Sequence, residues 1–425
     1  MSRLVSLGAG GLPVRARATV RRVGGRWVRR LGLLPGGEPD RLGEDDRLTG
    51  TVLDQPVMVF FPEPPNNAYQ LEQWFAPLTA LAAELPVVVI TQDSRTTRLV
   101  GSGSSLPVHC VARTATLDGL VARSDVGLAL YVSHHPANFA ALRHAGMAHV
   151  YLGHGDSDKG GSASNQLKAY DYAFVAGDAG VDRIRQTLTW YDADARTLKV
   201  GRPQLDLPIA GLPHEHPEQQ RPGPSRVLYA PTWEGAQPSV RYGSVTSHGP
   251  ALVRSLLDDG LEVVYRPHPR SGANDSRVRE ADLALRRLVT DHPGGRGRVD
   301  PGRPLADALH EADLLVTDIS SLAMEWLPSL KPLVVTTPGA AGLEVPASPL
   351  LSAVPRLSAE QAPAAAALIR PLLERDDGVA ARRALVQHYL GDTTPGAATL
   401  RFVSACRTVL ESFQADRRRL NQEAL

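Results

Sequence analysis

Cysteine is almost absent from this 425-residue chain. Its two copies, Cys110 and Cys406, lie far apart in sequence. They offer neither a disulfide framework nor the close spacing of a metal site, and they point to a reducing compartment. Long apolar runs are missing too. No window approaches the roughly eighteen unbroken apolar residues that a spanning helix needs. Lysine is scarce, with four among 46 basic residues. What remains is a globular composition, 43% hydrophobic and 21% charged, with glycine and proline well represented. A chain of this length is too long for one ordinary core and comfortable for two.

The net charge of +1 hides an asymmetry. Residues 1–36 carry eight arginines and no acid, interleaved with Val, Leu and Trp27. Two readings of this arm stand side by side. It is a basic tail without fixed structure, or a segment that lies on an anionic membrane surface. An Arg-rich, acid-poor presequence is a third. A secretory signal is excluded, because the arm lacks a compact apolar stretch and a cleavage pattern.

From residue 56 onward, short apolar runs alternate with stretches of helical spacing. Strands are expected at 56–61, 86–93, 125–132, 148–155 and 170–177, with a helix over 67–84. A Pro-, Gly- and charge-rich break follows at 206–225. The alternation then restarts with strands at 226–233, 261–269, 313–318 and 331–337 and helices at 251–260, 304–312 and 321–329. Fully apolar strands alternating with helices predict an α/β fold with parallel sheets covered on both faces. The expected organisation is a basic arm (1–50), a first Rossmann-like domain (51–206), a linker (207–225), a second Rossmann-like domain (226–390) and a C-terminal helix (391–425) that packs back toward the first domain. Ligands in such sheets bind outside the carboxyl ends of the strands, and the conspicuous polar residues fall there.

Four polar knots carry the chemistry. In "VTDISS" a strand ends at Asp318, and Ser320 or Ser321 opens a helix whose unpaired amides suit an anion, or are simply capped. Glu325, one turn in, faces ribose hydroxyls or solvent. In "VVYRPHPR" a strand ends in Arg266, His268 and Arg270, suited to an oxyanion with spread charge. In "LYAPTWEG" Thr232 offers a hydroxyl and an amide at a strand mouth, while Trp233 is expected in the core. In "VYLGHGDSDKGG" glycines flank His154, which is placed to take a proton from an attacking hydroxyl, and Lys159 follows within reach of a negative substrate. His134–His135 lack a carboxylate at a suitable offset, and "GSGSS" (101–105) fits no dinucleotide or phosphate-loop fingerprint. No metal cage and no cofactor are expected.

Together and in this order the knots resemble the CDP-glycerol:poly(glycerophosphate) glycerophosphotransferases, over roughly residues 125–410. The carrying segments are "GHGDSDKG", "YAPTWEG", "YRPHPR" and "VTDISS", with "DYAFVAG", "VGRPQLD" and "GDTTPGAATLRF" as connecting stretches. The resemblance implies a GT-B architecture, two Rossmann-like domains facing across a cleft. It implies a CDP-glycerol or related CDP-polyol donor and a hydroxyl-bearing polymer or lipid-linked acceptor. His154 would be the base and His268 a diphosphate ligand. Gly155, Lys159, Thr232, Arg266, Asp318, Ser320, Ser321 and Glu325 would contact substrate. A cytoplasmic location follows, with the inner membrane face as an alternative, and nucleic acid is not an expected partner. A nucleotide-sugar glycosyltransferase or UDP-sugar 2-epimerase stays open as an alternative, as does a non-catalytic binding homologue.

Overall fold

Buried on both faces, the apolar runs have one way to satisfy their backbone, which is to pair in parallel under helices. The computed structural model describes residues 40–159, 164–206, 223–235, 241–303, 305–339, 343, 345 and 347–423. Most of the basic arm (1–39) and of the linker (207–222) lies outside the described residues.

The first sheet contains β1 (Val57–Phe61), β2 (Val87–Thr91), β3 (Val108–Cys110), β4 (Leu128–Tyr131), β5 (Ala148–Tyr151), β6 (Tyr172–Val175) and β7 (Thr197–Lys199). Its order is β3-β2-β1-β4-β5-β6-β7, with every pairing parallel. The second contains β8 (Arg226–Ala230), β9 (Glu262–Tyr265), β10 (Gly297–Val299), β11 (Leu314–Thr317), β12 (Leu333–Thr336) and β13 (Arg356–Leu357), in the order β10-β9-β8-β11-β12-β13. Both are doubly wound. Their order reverses between β1 and β4 in one sheet and between β8 and β11 in the other, and such switch points open a crevice.

The strands read from the sequence form the middle of each sheet. Short polar edge strands β3, β7, β10 and β13 were not legible, because two or three residues hold too little alternation to register. The single helix expected over 67–84 is interrupted, with α-helix at Tyr69–Glu72 and Phe75–Ala82. Pro77 is the cause. It has no N–H for the Gln73 carbonyl and its ring crowds that oxygen, so the helix breaks one turn earlier. The break turns Trp74 inward, where its indole Nε1 donates to the Gly153 carbonyl at 2.7 Å.

Two features tie the halves together. The long helix Ala397–Glu423 crosses back to the first domain, where Phe402, Val403, Cys406, Val409 and Leu410 join the core beneath β1, β4 and β5. Ala176 and Ala179, from the first domain, pack with Leu385, Val386 and Tyr389 of helix Val379–Leu390. No helix among the described residues is long and apolar enough to cross a membrane.

Candidate functional site

The loops leaving β1, β4 and β5 face those leaving β8, β9 and β11. Gly153 takes a left-handed φ of +67°, which lets the chain turn sharply out of β5. Gly155 then runs so close to the second domain that a Cβ there would lie 3.2 Å from the Ser321 Cβ. His154 and Ser321 therefore occupy one cleft. Lys159 spans it, donating from Nζ to the Thr232 hydroxyl at 3.1 Å. Burial lowers the Lys159 pKa, and the nearby Asp318 carboxylate opposes that shift.

His154 is half-buried, and its Nδ1 lies 3.2 Å from the Val132 carbonyl. A carbonyl only accepts, so Nδ1 carries the proton and Nε2 keeps its lone pair. Burial lowers the pKa of this imidazole, so it is neutral near pH 7. His268 is arranged the other way round. Its Nδ1 accepts from the Arg270 backbone N–H at 3.1 Å, which puts the proton on Nε2. Burial, then the charges of Lys159 and Arg270, bring its pKa down to about 4. One histidine thus presents a base and the other a hydrogen-bond donor.

The Tyr69 ring stands edge-on to both imidazoles, with centroids 6.3 Å from His154 and 6.2 Å from His268. Trp233 is a correction to the sequence reading. It is half-buried rather than in the core. Its ring stacks toward His268 at 6.2 Å, and the Arg270 guanidinium lies 4.0 Å from its centroid. A delocalised cation over an indole face is a favourable pairing that fixes both groups. Beneath them the buried Glu234 carboxylate accepts from the Gly272 and Asn274 amides, at 3.0 and 2.7 Å, and pins the loop that carries Arg270.

The remaining expected contacts are placed as follows. Asp318 is fully buried under the cleft floor. Its Oδ2 accepts from the Thr232 and Ser244 amides at 2.7 and 3.2 Å, and its Oδ1 accepts from the Thr336 hydroxyl at 2.5 Å. It ties the loop after β8 to the ends of β11 and β12 from below. Arg266 turns to Asp300, with Nη1 to Oδ2 at 3.1 Å, and Nη2 donates to the Arg303 carbonyl. Ser320 precedes helix Ser321–Trp326 without capping it, and its hydroxyl sits 3.3 Å from that of Thr317. Glu325, its side chain 10% exposed, is bonded at 2.9 Å to Arg202 from the first domain, so the pair bridges the cleft. Burial raises the Glu325 pKa while Arg202 opposes that shift.

Asp156 and Asp158, which follow His154, are also spoken for. Both pair with Arg183, and Asp158 Oδ2 accepts from the Tyr389 hydroxyl at 2.6 Å. The acids beside the base are therefore compensated.

Sequence reasoning missed Glu63, Tyr69 and Arg202, and it weighed His134 only as a metal ligand. Buried Glu63 accepts from Ser133 Oγ at 2.8 Å and Asn67 Nδ2 at 2.6 Å, close enough for its charge to favour protonated His154. His134 stacks on Tyr151 with centroids 3.9 Å apart, and neither ring nitrogen has a partner among the described residues. Its pKa falls to about 4 through burial and the proximity of His154. A signal did exist. Glu63 and His134 follow β1 and β4, the two strands that flank the first switch point.

The sequence matches the model of the CDP-glycerol:poly(glycerophosphate) glycerophosphotransferase family over residues 109–340, more than half of the chain. The chain belongs to that family. No curated protein matches it significantly in sequence. Among solved structures, the wall teichoic acid polymerase TagF superposes with a TM-score of 0.52 at 13% identity, covering 94% of this chain and 98% of that one. A TagF variant soaked with CDPG gives 0.53 at 12%, covering 95% and 99%. The S. aureus MnaA–UDP co-structure gives 0.51 at 13%, covering 84% and 96%. At such identities the likeness is one of fold, and the fold is GT-B. Membership of the glycerophosphotransferase family makes this chain a transferase, and its motifs stand on loops that meet across a GT-B cleft.

Proposed function

We propose that this enzyme transfers glycerol phosphate, or a related polyol phosphate, from its CDP-activated form to a hydroxyl acceptor and releases CMP, in synthesis of a wall or surface polymer. The observation that carries the reading is the pair of opposite tautomers, His154 with a basic Nε2 and His268 with a donating Nε2, on either side of one cleft. Family membership and the CDPG-soaked TagF relative support the donor.

In this reading the acceptor hydroxyl attacks the β-phosphorus. The new O–P bond forms as the bond from that phosphorus to the oxygen bridging the α-phosphate breaks, and CMP leaves with the bridging oxygen. His154 Nε2 takes the hydroxyl proton. His268 Nε2–H, Lys159 and the amides at Ser320–Ser321 bear the growing charge on the phosphoryl oxygens. The protein's part in such a transfer is positioning and charge stabilisation. Thr232 orients Lys159, and Asp318 holds Thr232. Glu325 reaches ribose hydroxyls only if its bond to Arg202 is exchanged for them.

The test is donor profiling with purified protein, reading the released nucleotide. CMP from CDP-glycerol, with acceptor-dependent turnover, is expected. UDP released from UDP-sugars, with no CMP from any CDP-polyol, would overturn the reading in favour of a nucleotide-sugar enzyme.

A further inference from the structure

Glu63 lies just past β1, between Pro62 and Pro64, and Ser133 lies just past β4. These two strands flank the first switch point. Both residues are fixed through their backbone. The Thr96 hydroxyl donates to the Glu63 carbonyl at 2.9 Å, and Asn138 Nδ2 donates to the Ser133 carbonyl at 2.7 Å. The Glu63 side chain then joins the two loops. Its Oε1 accepts from Ser133 Oγ and its Oε2 from Asn67 Nδ2, the acceptor-only pattern of a carboxylate. Glu63 is 5% exposed. Asp158 and Glu325 meet Arg183 and Arg202, whereas Glu63 forms no ion pair among the described residues. A buried carboxylate is ordinarily paired, so this one calls for a cation.

The loops show where that cation arises. Ser133 follows Val132, whose carbonyl accepts from His154 Nδ1–H. Asn67 closely precedes Tyr69, whose ring stands edge-on to the same imidazole. One carboxylate therefore ties together both loops that hold His154. The charged and titratable groups acting on this ring from the elements around it are Glu63, Arg202, His134 and His268. Glu63 favours the cationic ring and Arg202 opposes it. His134 and His268, with pKa values of about 4, are neutral near pH 7. The geometry points to Glu63 as the positioning residue of the general base. It fixes the imidazole through the loops after β1 and β4, and its charge stabilises the imidazolium formed when His154 Nε2 takes the acceptor's proton. Glu63 itself takes no proton. The inference rests on the transferase reading above.

The experiment titrates His154 itself. Histidine-selective ¹⁵N labelling gives the ring signals, and the one that His154→Gln lacks is assigned to His154. In Glu63→Gln, which keeps the size and an acceptor for Ser133 but loses the charge, the His154 pKa should fall below its wild-type value. The acid limb of the pH profile for CMP release from CDP-glycerol should move the same way. Plateau kcat should drop about tenfold, a part of the roughly 10²–10⁴-fold that a general base supplies. A merely structural loss would lower kcat and leave the limb in place. Glu63→Asp, which keeps the charge, should hold the titration near wild type and recover part of the turnover. Glu63→Ser, which removes the charge and leaves room for water, is the second variant should Glu63→Gln fail to fold. An unchanged His154 titration in the uncharged variant overturns the inference. So does a shifted titration with wild-type turnover. Should wild type release no CMP with any donor and acceptor, the transferase reading fails, while the ring titration still decides whether Glu63 sets the charge of His154.

Discussion

His154 and His268 both stand against the Tyr69 ring, with ring centroids 6.3 and 6.2 Å from it, and they hold opposite tautomers. The difference comes from one backbone atom each. The Val132 carbonyl makes His154 carry its proton on Nδ1, and the Arg270 amide makes His268 carry its proton on Nε2. Because burial keeps both rings neutral, the two identical side chains are left with different work.

That asymmetry predicts different rescue. His154→Gln should lose about 10²–10⁴-fold in turnover, since an amide is no base. His268→Ala should lose at least about a hundredfold, as removal of one donor from a charge-stabilising site does. His268→Gln, which restores an N–H near the Nε2 position, should recover part of that loss. Steady-state CMP release checks all three. Near-wild-type turnover by His268→Ala would remove that residue from the mechanism.

The Arg202–Glu325 bridge predicts a stability effect. Both side chains are about nine-tenths buried, so removing one leaves the other charged and unpaired. Arg202→Met or Glu325→Leu should each cost about 3–5 kcal/mol, and the double variant should recover much of it. Urea unfolding of the four proteins measures this coupling. Strictly additive losses would show that the pair does not act as a unit.

Acid should weaken the fold through two half-buried histidines. The pKa values of His134 and His268, about 4, lie below the value near 6.5 of an unfolded histidine. Between those limits the unfolded chain binds more protons than the native one. The stability they contribute is complete above pH 6.5 and is lost as pH falls toward 4. His134→Phe keeps the stack on Tyr151 and removes one of these groups. Its melting temperature should fall less steeply over that window than wild type's, as calorimetry at successive pH values would record. Identical slopes would contradict the assignment.

The C-terminal helix should act as part of the first domain. Phe402 is fully buried there, 5.3 Å from Trp74 and 6.3 Å from Phe174 between ring centroids. Phe402→Ala should cost about 3–5 kcal/mol. Limited proteolysis of the variant should cut first within residues 51–206. Early cleavage confined to the second domain would argue against this packing.

Much of this was legible in the chain itself. Continuous apolar runs of Val57–Phe61 or Leu314–Thr317 can only be strands buried on two faces, and polar residues at their carboxyl ends mark where such sheets bind ligands. Local order therefore fixed the α/β class, the doubly wound halves and the neighbourhood of His154, His268 and Ser321. The break at Trp74 also followed a local rule, through Pro77. Tertiary structure alone decided what each side chain is for. Glu325 meets Arg202 across 123 positions and Asp158 meets Tyr389 across 231, and no pattern in one segment encodes such a partner. The tautomers of the two histidines, the compensated charge of Asp156, and the turning of Arg266 toward Asp300 all depend on which backbone atom or charge lies within hydrogen-bonding distance. Periodicity reports which face of an element is buried. It carries no information about which two buried faces meet.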